Sequence, residues 1–165
     1  AGIIDLKEAN IDMVRAGIIL YGYYPDPSLT RTLDLKPAMR IKARVVQVRD
    51  VEEGRTVSYG RTYLVKKPIK EAVISIGYAD GYLRSGSGNV HVSVKGKKAP
   101  VLGRICMDMC MIEVPEGVNL KRGDEVTIFG DNLITADDVA IASGTISYEV
   151  LCAASARVPR IYING

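Results

Sequence analysis

The stretch VSYGRTY at residues 57–63 sets a phenol, Tyr59, beside a glycine and two positions from a cation, Arg61. A turn through Gly60 could expose that phenol, and a nearby positive charge favours phenolate, the form that accepts a proton. This is the pattern of a candidate general base, although a tyrosine packed on a hairpin is the simpler reading of the same residues. IGYADGYLR (76–84) joins glycine turns to Asp80, Tyr78 and Tyr82, a composition that suits a binding loop and equally a tight turn. GRICMDMC (103–110) carries Arg104, Asp108 and soft sulfur side chains in what reads as a strand, but no second ligand pair at metal-site spacing, so no metal is expected. MVRAGI (13–18) sets Arg15 before a small, glycine-containing stretch whose amides could bind a phosphate. The single histidine, His91, lies in the alternating run VHVSV, where a structural role is favoured over a catalytic one.

Those residues must be held by elements that the hydrophobic pattern outlines. Residues 1–24 read as a short helical or loop stretch, LKEANIDM, followed by a buried strand-like run, MVRAGIILYGYY. PDPSLTRT, with Pro25 and Pro27, reads as a linker over 25–34. From Leu35 the texture is that of short strands: RIKARVVQV and RTVSY are predicted to pair as a hairpin around VEEG. AVISIGYADGY is an apolar strand ending in a glycine-rich loop, and VHVSVKGKKAPVLGRI is a second hairpin that turns near Lys95 to Lys97. CMIEVP, DEVTIFG and a final ARVPRIYI extend the series. Strand after strand without intervening helix predicts a mainly β fold, an antiparallel barrel or sandwich. Two short helices interrupt it, near Ala136–Ser143 and Ser147–Ala154. The first starts at a capping box of Thr135 and Asp138 and stops at Gly144.

Composition narrows the function classes. A chain of 165 residues supports one ordinary domain plus a short appendage. The net charge of +3 comes from 22 basic and 19 acidic residues scattered along the chain, so no basic stripe points to nucleic acid or acidic lipid. No apolar run approaches the ~20 residues that span a bilayer. Cys106, Cys110 and Cys152 match neither a zinc site nor a secreted disulfide framework, which points to a reducing compartment. AGIIDLKEAN is no signal peptide, so a cytoplasmic location is expected. The opening on Ala1, inside what reads as a structured segment, points to a piece of something longer.

Taken jointly, MVRAGIILYGYYP, VSYGRTY, IGYADGYLR, GRICMDM, ITADDVA, GTISYEVLC and RVPRIY resemble, in order and approximate spacing, the C-terminal part of bacterial alanine racemases. The resemblance covers essentially the whole chain. It implies a barrel-like C-terminal β-domain over 35–165, a linker over 25–34, and in 1–24 the last strand and loop of a (β/α) barrel whose remainder is absent. It further implies pyridoxal phosphate as cofactor, alanine as substrate, a head-to-tail homodimer, and D-alanine destined for peptidoglycan. Racemisation removes the α-proton of an amino acid, which is feasible when the electron pair is delocalised into a cofactor. Inversion then needs a proton-carrying group on each face. By resemblance one is a cofactor-binding lysine from the absent barrel and the other is Tyr59, reaching into the partner's site.

The resemblance assigns further roles. Arg15 faces the pyridine nitrogen as a permanent cation, and the amides of Gly17 and Ile18 with the Tyr148 hydroxyl hold the phosphate. Met107 meets the substrate carboxylate through its backbone, and Tyr78, Arg84 and Arg104 form the entryway. Serine-racemising relatives usually carry a smaller residue where Tyr148 stands, so Tyr148 favours alanine. Without the lysine, the chain alone should be inactive and should hold the cofactor poorly. Two alternatives stand beside this reading: a serine or broad-specificity amino-acid racemase, and a non-catalytic β-barrel binding module whose affinity falls steeply with salt.

Overall fold

The computed structural model describes residues 2–6, 8, 10–26 and 28–163. Its strands are β1 (Ile41–Val51), β2 (Thr56–Val57), β3 (Tyr63–Leu64), β4 (Ile69–Ile74), β5 (His91–Val94), β6 (Lys97–Leu102), β7 (Cys110–Glu113) and β8 (Glu125–Phe129). Its helices are α1 (Gly2–Asp5), α2 (Ala136–Ser143) and α3 (Ser147–Ala153). Six strands close into an antiparallel barrel in the order β1–β4–β7–β6–β5–β8, with β8 pairing back onto β1. Closure pairs the ladder groups that an open sheet would leave at its edges.

Alternation in the sequence becomes two faces of the barrel wall. In β1 the residues Ile41, Ala43 and Val45 are buried while Lys42, Arg44 and Val46 are not, because successive side chains of a strand point to opposite faces. Ile74, Val92, Ile112 and Ile128 join them in one interior cluster, all fully buried. The alternation does not persist along β1. Its register against β4 jumps from Val45↔Ile74 to Gln47↔Val73, leaving Val46 as the extra residue of a bulge. Beyond the bulge Val48 packs on the interior cluster, while Val51 belongs to a second one.

That second cluster carries the site. Val51, Val57, Val65 and Leu102, backed by Tyr63, Ile69 and Met111, hold the β2–β3 ribbon on the outer face of the barrel wall. Glu71 shares this face and is fully buried. The Nε and Nη2 groups of Arg49, its register partner, both donate to Oε1 at 3.0 Å.

The expected hairpin of β1 with residues 55–59 is corrected: β1 pairs with β4 and β8, and β2 pairs with β3. A strand of eleven residues has enough backbone groups to serve two long neighbours, and the two-residue β2 is left to its own ribbon. The hairpin at Lys95 to Lys97 forms as expected, as β5 and β6. MVRAGIILYGYY is not a strand but contains a 3-10 helix, Gly17–Tyr21, ended by Gly22. No partner strand lies beside it among the described residues, so the chain satisfies its backbone locally. It is not uniformly buried either: Met13 is 75 % exposed, whereas Ile18 and Tyr23 enter the core. LKEANIDM includes residues 7 and 9, outside the described ones. The last segment, ARVPRIYI (156–163), is likewise no strand; its first residues and the two before them are shaped by Arg160, whose guanidinium donates to the carbonyls of Ala154, Ser155 and Val158. The helices match expectation. In α2, Thr135 Oγ1 accepts from Asp138 N at 3.1 Å, Asp138 Oδ2 accepts from Thr135 N at 2.7 Å, and Gly144 caps the end.

Candidate active site

Tyr59 opens a 3-10 turn, Tyr59–Arg61, at the tip of the β2–β3 ribbon, and is 74 % exposed. The turn is held at both flanks: before it, Val57 lies in the second cluster and Ser58 Oγ donates to the Arg104 carbonyl at 2.7 Å, and after it, Tyr63 packs against the same cluster. Positive φ angles at Ser58, Gly60 and Arg61 bend the backbone sharply enough to present the phenol outward. Gly60 has two reasons to be glycine. Its φ is +72°, and a β-carbon there would lie 3.1 Å from Arg104 Nη1, so the bare backbone leaves room for that guanidinium.

GRICMDM is not a strand but a loop that leads from β6 into β7, and it lies against the glycine-rich loop after β4. Tyr78 N donates to Cys106 O at 3.0 Å, and Ala79 N donates to Met107 O at 3.0 Å. The approach requires Gly77, because a β-carbon there would come under 3.0 Å from both of those carbonyl oxygens. Arg84 begins the next 3-10 turn, which Ser87 ties to the same loop: its hydroxyl donates to Arg84 O and accepts from Ile105 N at 3.0 Å. Tyr59, Tyr78, Arg84, Arg104 and Met107 thus stand on three loops that hydrogen bonds and close packing join at one end of the barrel. Tyr78 is 41 % exposed and Met107 54 %, while Arg84 and Arg104 are exposed. Tyr82, the second tyrosine of IGYADGYLR, is instead buried, and burial pushes its phenol well above the usual tyrosine pKa.

Arg15, Gly17, Ile18 and Tyr148 make up the second set of predicted site residues. Gly17 opens its 3-10 helix with φ at +63° and nothing within 4 Å of where a β-carbon would lie, so the space beside this backbone is open. The first N–H groups of such a helix have no partner within it. Ile18 is buried, Arg15 is exposed, and Tyr148 on α3 is 40 % exposed. The segment docks through Tyr23, whose hydroxyl accepts from Ala136 N at the start of α2, while α2 packs against α3. Burial raises the Tyr23 phenol pKa, so this hydroxyl stays neutral and structural.

Three charged residues at the first group escaped the sequence reading as a unit. Arg157 donates through Nε to Asp80 Oδ1 at 2.7 Å and through Nη2 to Asp108 Oδ1 at 2.6 Å. Asp80 Oδ2 meanwhile accepts from Gly77 N at 2.9 Å, capping the Tyr78 turn. Separations of 77 and 49 residues leave no signal in a local pattern. His91 lies in β5 as expected, and is exposed. Among the described residues no group of three or more His, Cys, Asp or Glu side chains could hold a metal, and no helix is long and apolar enough to cross a membrane. Cys106, Cys110 and Cys152 are all free thiols.

The alanine racemase C-terminal domain family matches residues 38–162. Alanine racemase 2 of Caldanaerobacter subterraneus subsp. tengcongensis is 51 % identical over 164 residues, covering 98 % of this chain and 42 % of that protein. The alanine racemase of Desulfovibrio desulfuricans is 48 % identical, covering 99 % of this chain and 44 % of its own length. The chain therefore spans less than half of these relatives. A solved alanine racemase of Clostridium difficile 630 superposes with a TM-score of 0.93 at 43 % identity, over 98 % of this chain and 43 % of that one. The same racemase has also been solved in complex with cycloserine, and superposes with a TM-score of 0.90. A closed six-stranded barrel, the loops gathered at its end and these matches together establish that the chain belongs to the alanine racemase C-terminal domain family.

Proposed function

We propose that this chain is the C-terminal part of an alanine racemase, and that Tyr59 moves a proton at the α-carbon on one face of the substrate. The observation that carries the reading is an exposed phenol on a turn anchored at both flanks, beside the Arg104 guanidinium. A general acid or base must reach its proton within hydrogen-bond distance, and an immobilised turn holds Oη ready for that. The second proton-carrying group, a lysine, belongs to polypeptide outside this chain, which accounts for our expectation that the chain alone is inactive.

The second group of residues suits a phosphorylated, anionic cofactor. The Gly17 and Ile18 amides, at the start of their 3-10 helix, can donate to a phosphate in the open space beside Gly17, the Tyr148 hydroxyl can add a donor, and Arg15 supplies a fixed positive charge. Pyridoxal phosphate, when bound there, supplies the electron sink that makes the α-proton removable. Residues 1–24 would then be the end of the preceding barrel domain and 25–34 the linker. Tyr59 would serve the site of a second copy, so that a homodimer is required for turnover, and the product D-alanine would supply peptidoglycan.

Met107 is suited to bind the substrate carboxylate. In a planar trans peptide the C=O and the N–H point in opposite directions. Because Cys106 O accepts from Tyr78 N, the Met107 N–H is turned away from the Tyr78 loop. Tyr78, Arg84 and Arg104 around it narrow the approach, and a crowded pocket separates a methyl side chain from a larger one by ~1–3 kcal/mol per methylene.

The test is Tyr59→Phe in the full-length protein. Solvent deuterium incorporation into one alanine enantiomer should collapse while cofactor absorbance is retained. Equal slowing from both enantiomers would remove Tyr59 from this role, and a clear preference for serine over alanine would overturn the substrate.

A further inference from the structure

We propose that Arg157 is a positioning residue that holds the Met107 amide in its substrate-facing direction by locking together the two loops that define it. The proposal rests on the reading of Met107 as the group that meets the substrate carboxylate.

Three segments distant in sequence converge on this guanidinium. The first is the Tyr78 turn, whose cap Asp80 uses one carboxylate oxygen for Gly77 N and the other for Arg157 Nε. The second is the 106–109 loop, where Asp108, next to Met107, accepts from Arg157 Nη2. The third is the segment after α3, which carries Arg157 and is itself fixed. Ser155 N donates to Asp80 O at 3.1 Å, and a β-carbon on Gly81 would collide with the Ala153 carbonyl. Arg160, bonded to three carbonyls of 154–158, keeps this segment folded so that Arg157 points back at the loops.

The fork geometry is what suits arginine to the task. A planar guanidinium has five directional donors and can serve two carboxylates at once without turning. Asp80 is largely shielded, with a side chain 15 % exposed, whereas Asp108 is half exposed, so the pair to Asp80 anchors the arginine and the pair to Asp108 ties in the more exposed loop. Bonds to Asp80 first and Asp108 second raise the Arg157 pKa further, so its charge is permanent. The two loops also bond directly, through Tyr78 N to Cys106 O and Ala79 N to Met107 O. Those two bonds set the direction of the Met107 peptide, and the ion pairs on either side keep them closed.

A residue acting this way affects how well the carboxylate is held in ground state and transition state alike, so its loss should raise KM with little change in kcat. The experiment uses the full-length protein with Arg157→Ala and, separately, Asp108→Asn, which weakens only one arm by removing its charge. Expected are an alanine KM raised about tenfold by Arg157→Ala and less by Asp108→Asn, with kcat within about threefold. Hydrogen exchange in the 77–82 peptide should accelerate, while the β7 peptide keeps its protection, which shows that the barrel is intact. An active variant with unchanged KM overturns the proposal, even if exchange in 77–82 rises, because the clamp is then only structural. Equal loss of β7 protection also overturns it, since the arginine then holds the fold as a whole. A wild-type protein that does not turn over alanine sinks the underlying reading instead, and the proposal with it.

Discussion

Gly77→Ala tests whether close approach of two loops defines the site. Its φ of −150° is ordinary extended backbone that alanine adopts without strain, so any cost comes from contact alone. A β-carbon would come under 3.0 Å from the carbonyl oxygens of Cys106 and Met107, both backbone atoms that cannot rotate aside. The 106–109 loop must therefore retreat, and the bonds it accepts from Tyr78 N and Ala79 N, each 3.0 Å long, are the first to go. At about 1 kcal/mol net for each bond, the local loss is about 2 kcal/mol, or about 30-fold in the opening equilibrium. The assay is hydrogen exchange of the 77–82 peptide in the full-length protein, where protection should fall by about that factor. Gly88→Ala is the control: its φ of +78° strains the substituted backbone by ~1–2 kcal/mol, yet nothing lies within 4 Å, so the Tyr78 and Ala79 amides should keep their protection. Protection in Gly77→Ala within twofold of wild type would refute the account of how the Met107 amide is aimed.

Two further outcomes follow from the barrel itself. Ile112→Ala removes a fully buried side chain of β7 from the interior cluster and should destabilise this domain by about 3–4 kcal/mol in denaturant titration; a loss under ~1 kcal/mol would mean that the wall collapses to fill the cavity. Partial burial alone would raise the Asp131 carboxyl pKa, but donation from Ile134 N, Ser93 and Leu133 N outweighs it and holds the pKa below the ordinary aspartate value. A folded-state pKa below the unfolded one contributes stability that is complete above about pH 4 and is lost as pH falls through the folded value. Asp131→Asn should therefore be less stable at pH 7 and show a flatter acid limb, and an acid limb identical to wild type would count against the assignment.

Much of this architecture was legible in the residues because it rests on local rules. The α2 boundaries followed from Thr135, Asp138 and Gly144, which act within one or two turns of chain. The β5–β6 hairpin followed from alternation around a glycine turn, and the candidate site residues from motifs whose order resembles one family. What the residues did not disclose depends on partners far along the chain. MVRAGIILYGYY has the apolar density of a strand, but a strand exists only if another lies beside it, and there the local 3-10 hydrogen bonds prevailed. The partner of β1 was misread because a neighbouring segment in sequence looks the same locally as a distant one in space, and barrel closure selected β4 and β8. Position 59 could be named from its neighbours, whereas its exposure was decided by a ribbon pinned to the outer wall through Val57, Val65 and Leu102. Arg157 bears no local mark of a role, since a guanidinium acquires one only from the two carboxylates that folding brings within bonding distance.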